Sequence, residues 1–322
     1  MGDERADLKS FHRSGDHRPL AEAQGNRLDG LRALCALAVV GDHCGLPLDA
    51  LSLIAVWIFF AISGFLIFPI LFRARQPIEN DQTRVLEEIR LLMTDRALRI
   101  LPIYYGILLA VWLWGQVSPQ DEQYLELLKG WPWFVTYTTN LYITHVIHDW
   151  VDAFSVFWSL AIEKQFYFLF APCFLMLPSR LWRPALITGA LLLMVIVLVF
   201  YRHDTELGSY TNSFSGFYAI SLGGLAGLGG YNLQVKLRRF ADPLLLALMA
   251  LIVISSALHG SPKGFMLSLF SLPLIAGALL ITTASAQLSR LVRLLEVWPL
   301  HLLGIVSYGF YIIHLFGILL AG

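Results

Sequence analysis

The chain has 322 residues, 57% of them hydrophobic and only 14% charged, whereas a soluble domain carries roughly a quarter charged residues. Lysine plus arginine and aspartate plus glutamate both number 23, so no basic surplus supports nucleic-acid binding. These figures exclude an ordinary soluble enzyme and leave a polytopic membrane protein. Residues 1–26 are polar, mix both charge signs and lack an apolar core, so they read as a short cytosolic tail, not a cleaved leader. Residues 27–322 then form one membrane domain.

Apolar runs near 20 residues, the length that crosses about 30 Å of hydrocarbon, recur along the chain. They lie near 28–47, 51–72, 97–116, 154–177, 184–201, 212–230, 243–259, 264–285 and 302–320. The prediction is an all-α transmembrane bundle of about nine spans. A tenth candidate, 131–148 (WPWFVTYTTNLYITHVIH), is short, aromatic and rich in Thr and Asn. Positive residues stay on the cytosolic side. If 131–148 does not cross, 19 of the 23 basic residues fall on that side. The segment therefore reads as outer-surface or re-entrant, with the N-terminus cytosolic and the protein in the inner (plasma) membrane.

The loop 73–99 is predicted to hold an interfacial helix from about Thr83, with Val85, Leu86, Ile89, Leu92 and Met93 on its apolar side. The run SLGGLAGLGG at 221–230 puts small residues on a helix face, the mark of close helix packing. No lysine-bearing phosphate loop accompanies it. Cys35, Cys44 and Cys173 have no metal-type spacing and read as small packing residues. No metal site is predicted.

Four clusters carry candidate chemistry. Arg32 and His43 are 11 residues apart in the first span, about 20° from each other on one helix face and about 16 Å apart along the axis. An intramembrane ionisable group is a functional candidate by default, and imidazole takes a proton near neutral pH. Arg96 and Arg99 share one side of the helix entering the third span. Their paired guanidinium forks suit phosphate oxygens, and equally mark a cytosolic helix end. Ser159, Glu163, Phe166 and Tyr167 share a face of the fourth span, where a carboxylate at depth needs a partner; His43 is one and Lys164 another. Ser307, Tyr311 and His314 line one face of the last span. They can hydrogen-bond an acceptor hydroxyl or tie helices together.

These pieces together resemble the acyltransferase-3 family of integral membrane acyltransferases. The matching stretches are LDGLRAL with His43 after the arginine-x10-histidine spacing, FFAISGFLI (59–67), RALRILPIYY (96–105), WSLAIEKQFY (158–167) and SYGFYIIH (307–314). They run in family order from Leu28 to His314. The resemblance implies a ten-helix core, of which the nine predicted spans lack the last. It also implies transfer of an acyl group, usually acetyl, from cytosolic acyl-CoA to a hydroxyl of a glycan, a glycolipid or a small molecule.

On that reading His43 is the catalytic base, with Glu163 beside it in the active site. Arg32, Arg96 and Arg99 serve the acyl donor, and Tyr167, Tyr311 and His314 contact substrate. Acetyl-CoA is a co-substrate, and no permanently bound cofactor is implied. The competing function is a proton-coupled transporter or flippase that uses His43 and Glu163 as a proton relay. Such proteins often carry internal repeats, and none is visible here.

Overall fold

The computed structural model describes residues 18–201, 205–237, 241–257, 271, 273–280 and 292–321. All regular structure among them is helical, as lipid demands of a spanning chain, because a helix satisfies its own backbone hydrogen bonds. The long helices are α1 (Arg18–His43), α2 (Asp49–Glu79), α3 (Val85–Val117), α4 (Glu122–Val135), α5 (Phe157–Met176), α6 (Trp182–Tyr201), α7 (Ser213–Leu237), α8 (Ala241–Ala257) and α9 (Trp298–Ala321). The predicted span 264–285 falls largely outside the described residues.

Four described segments are long and apolar enough to cross a membrane: Leu51–Glu79, Ile100–Val117, Ser179–Val199 and Trp298–Ile318. Helix α5 is not among them, since Glu163, Lys164 and Gln165 interrupt its apolar run. Its polar middle is covered by other helices; Lys164 is only 5% exposed.

Three boundaries differ from the sequence reading. Helix α1 is already formed at Arg18, inside the predicted tail. Helix α3 is a single 33-residue rod, so the predicted interfacial helix is the N-terminal extension of the third predicted span. The segment 131–148 forms no single helix: α4 ends at Val135, Tyr137 and His148 take positive φ, and short helical turns occupy 139–147.

That broken segment is anchored by buried polar groups. Asn140 Nδ2 donates to Ser213 Oγ at 2.8 Å, Gln165 Nε2 donates to Asn140 Oδ1 at 2.8 Å, and Ser213 Oγ donates to Gln165 Oε1 at 2.7 Å. Asn140 thus ties the stretch to α5 and α7, and Thr144 Oγ1 lies 2.7 Å from Thr211 Oγ1 just before α7. Cys35 is buried, but Cys44 and Cys173 are exposed and all three are free thiols, so only Cys35 packs as predicted.

Helix α2 packs most extensively on α7, and α9 on α1. Glycines permit both crossings. A Cβ on Gly223 would sit 1.9 Å from the Ala61 carbonyl oxygen, and one on Gly64 would sit 1.9 Å from the Ile220 carbonyl oxygen. A Cβ on Gly304 would lie 2.0 Å from the Asp29 carbonyl oxygen. Backbone atoms cannot swing aside, so Gly223→Leu is expected to cost at least about 3 kcal/mol. The check is a lower melting temperature of the solubilised protein, or no accumulation in membranes. Gly189→Ala, which meets nothing within 4 Å, is the matched control and leaves stability unchanged or slightly raised.

Candidate active site

A cavity of about 290 Å³ lies between α1, α2, α3, α5 and α9. Its walls are mostly apolar, with Val56, Phe59, Ile62 and Leu66 from α2 and Leu160 from α5. Into these walls are set Arg32, Arg96, Ser63, Ser159, Glu163, Tyr167, Tyr308 and Tyr311. Six of these eight polar groups are residues named individually in the sequence clusters. They arrive together because α1, α3, α5 and α9 each turn their polar face toward one interior space, away from lipid.

The guanidiniums are held from the side. Arg32 Nη1 lies 3.3 Å from Asp29 Oδ1 one turn earlier, and Asp29 Oδ2 lies 3.3 Å from His301 Nδ1 on α9. Arg96 stands over the Tyr167 ring at 5.7 Å from its centroid, a cation–π contact that leaves the fork of N–H donors free for an anion. The Arg99 backbone continues α3, and its side chain lies outside the described residues.

Glu163 is more heavily engaged than any other group in the cavity. Its Oε1 accepts from Ser63 Oγ at 2.9 Å and from Tyr167 OH at 2.7 Å, and its Oε2 lies 3.8 Å from Lys164 Nζ. The Lys164 ammonium also sits 5.0 Å from the Tyr167 ring centroid. The expected partnership of Glu163 with His43 is therefore corrected: the carboxylate belongs to the Ser63–Tyr167–Lys164 cluster, at the level of Arg96. The physical reason is depth. Helix α5 starts at Phe157 below residues 153–156 that are already buried, and α3 carries Arg96 about 16 Å along one unbroken helix.

His43 lies outside the cavity, behind His314. Its ring is exposed, its Nδ1 is 2.7 Å from the Val39 carbonyl, and it meets His314 edge to face with centroids 5.1 Å apart. His314 is buried and contacts the Tyr311 ring at 5.8 Å. Tyr311 lines the cavity, where its hydroxyl and Ser159 Oγ are 2.9 Å apart and Phe59 flanks its ring. Tyr311, Ser159 and Phe59 thus form a partition in the cavity wall, backed at Tyr311 by His314, which in turn meets His43. Phe166, predicted on the same face as Glu163, instead packs against Phe68 and Phe217 in the core.

Sequence reasoning missed Ser63 and Tyr308. Both sit within quoted motifs, and a serine inside the apolar run FFAISGFLI was the available signal: a lone hydroxyl in a lipid-buried helix needs a partner. Among the described residues no group of three His, Cys, Asp or Glu side chains could hold a metal ion.

Two comparisons with known proteins bear on this site. The chain is similar to "Putative peptidoglycan O-acetyltransferase YrhL" of Bacillus subtilis, with 27% identity over an alignment of 326 positions covering 94% of this chain and 49% of that protein. It is also similar to "Peptidoglycan O-acetyltransferase OatA" of Listeria monocytogenes, with 25% identity over 319 positions covering 89% of this chain and 48% of that protein. The chain thus spans about half the length of the curated relatives it matches. No solved structure matches it. A family model described as "Acyltransferase domain" matches residues 26–322, from within α1 past the last described helix, and the chain belongs to that acyltransferase-3 family.

Proposed function

We propose that the protein is a membrane-embedded O-acyltransferase that moves an acetyl group from cytosolic acetyl-CoA to a hydroxyl of a glycan acceptor, peptidoglycan being the first candidate. One observation carries this reading: an apolar cavity holding Arg32 and Arg96 is bounded by Tyr311, which is backed by His314, and His314 in turn meets His43. At about 290 Å³ the cavity is at the small end of ligand pockets. It suits the acyl-bearing arm of the donor, with the phosphates held by arginine forks toward the cytosol.

Chemically, the hydroxyl oxygen forms the new ester bond at the thioester carbon while the carbon–sulfur bond breaks. His43 Nδ1 faces a carbonyl oxygen, which can only accept, so Nδ1 carries the proton and Nε2 is the base. Nε2 takes the hydroxyl proton as the ester forms and returns it to the departing thiolate. For this to happen the thioester must pass the Tyr311–Ser159–Phe59 partition, which a rotation of Tyr311 would open.

The test is acetyl transfer from labelled acetyl-CoA to peptidoglycan fragments by the purified protein in lipid. Glycan-dependent ester formation is expected; release of free thiol with no acetylated product in any glycan would overturn the reading. Arg96→Ala is expected to raise the KM for acetyl-CoA at least about tenfold, the loss of one charge-assisted contact. A steady-state titration of the donor checks it, with the acceptor KM unchanged.

A further inference from the structure

Two imidazoles with the same internal hydrogen bonding meet behind the partition. His314 Nδ1 lies 2.6 Å from the Tyr311 carbonyl oxygen, just as His43 Nδ1 lies 2.7 Å from that of Val39. Both carbonyls accept, so both Nδ1 atoms carry the ring proton. In each neutral ring Nε2 is then a lone-pair acceptor. His314 is 7% exposed, and its Nε2 is buried without a hydrogen-bond partner among the described residues. A buried acceptor in that state carries an uncompensated desolvation cost. The neighbouring His43 cannot relieve it, because its own spare nitrogen is an acceptor too.

Counting protons gives the site a requirement. A reacting hydroxyl has one hydrogen and can satisfy one Nε2. If His43 takes that hydrogen, the Nε2 of His314 needs a second N–H or O–H from elsewhere on the same molecule. We propose that His314 binds a second donor of the acceptor, a hydroxyl or amide N–H adjacent to the reacting hydroxyl. The site thereby prefers sugars with neighbouring donors over isolated alcohols. This inference rests on the acyl-transfer reading above and makes His314 a specificity residue.

The experiment uses the full chain in lipid and a panel of methyl glycosides of N-acetylglucosamine: the parent and analogues each lacking one hydroxyl or the amide N–H. In the unmodified protein, removing one particular donor should raise the acceptor KM about tenfold, the value of one hydrogen bond, with the KM for acetyl-CoA unchanged. His314→Gln keeps a polar group near the Nε2 position and should retain part of that discrimination. His314→Asn keeps a donor near the Nδ1 position only, and should treat parent and analogue alike.

A single KM across the panel in the unmodified protein would overturn the inference, and this arm needs no variant to fold. Full discrimination in His314→Asn would overturn it as well, since the ring would then serve only the Tyr311 carbonyl. Calorimetric binding of the same panel separates the two claims. Donor-dependent binding without turnover removes the transferase reading and retains His314, whereas binding indifferent to the panel removes His314.

Discussion

His43→Ala is expected to lower acetyl transfer by about 10²- to 10⁴-fold, the range by which a positioned general base accelerates proton transfer, while the protein stays in the membrane. The structure separates the chemical loss from a folding loss unusually well. The His43 ring is exposed, and its one hydrogen bond, to Val39 in the preceding turn of its own helix, ties together no second element. Truncation removes only the edge contact with the His314 ring from the α1–α9 crossing, whose close approach is set by Gly304 against Asp29, far toward the other end of α1. The measurement is kcat with labelled acetyl-CoA, alongside the melting temperature. Transfer within tenfold of the unmodified rate would remove His43 as the base, and the neighbouring His314 would be the group to examine in its place.

The sequence was most informative where one helix face decides the outcome. The small residues of SLGGLAGLGG announced a close crossing, and the structure supplies it as Gly223 against Ala61 and Gly227 against Phe65. Arg32, Arg96, Glu163, Tyr167 and Tyr311 were each selected as polar residues in apolar helices, and all five line one cavity. Periodicity tells which face a residue occupies, and lipid forces polar faces inward. What periodicity lacks is the vertical offset between helices. Pairing Glu163 with His43 needs the two at one depth, yet α5 begins after a buried 3₁₀ turn and α3 begins well before its apolar segment Ile100–Val117. An error of three or four residues in a helix start moves a side chain about 5 Å, enough to exchange one partner for another.

The same offset gives Glu163 its strongest consequence. Glu163→Ala is expected to destabilise the protein by about 3 kcal/mol, the usual cost of removing one member of a buried charged pair. The substitution deletes the acceptor for Ser63 and Tyr167 and the counter-charge 3.8 Å from Lys164. Glu163→Gln retains an acceptor oxygen for both hydroxyls but no charge, so it should recover part of the stability. The two variants also divide the possible roles of the carboxylate in catalysis. If Glu163 acts by holding Tyr167 beneath Arg96, Glu163→Gln should raise the KM for acetyl-CoA and leave kcat within a few fold. If it instead assists His43 directly, kcat should fall and the donor KM should not move. Thermal unfolding of the solubilised protein and a donor titration on both variants read these outcomes. Since the carboxylate contacts Tyr167 and Ser63 rather than an imidazole, the KM effect is the expected one.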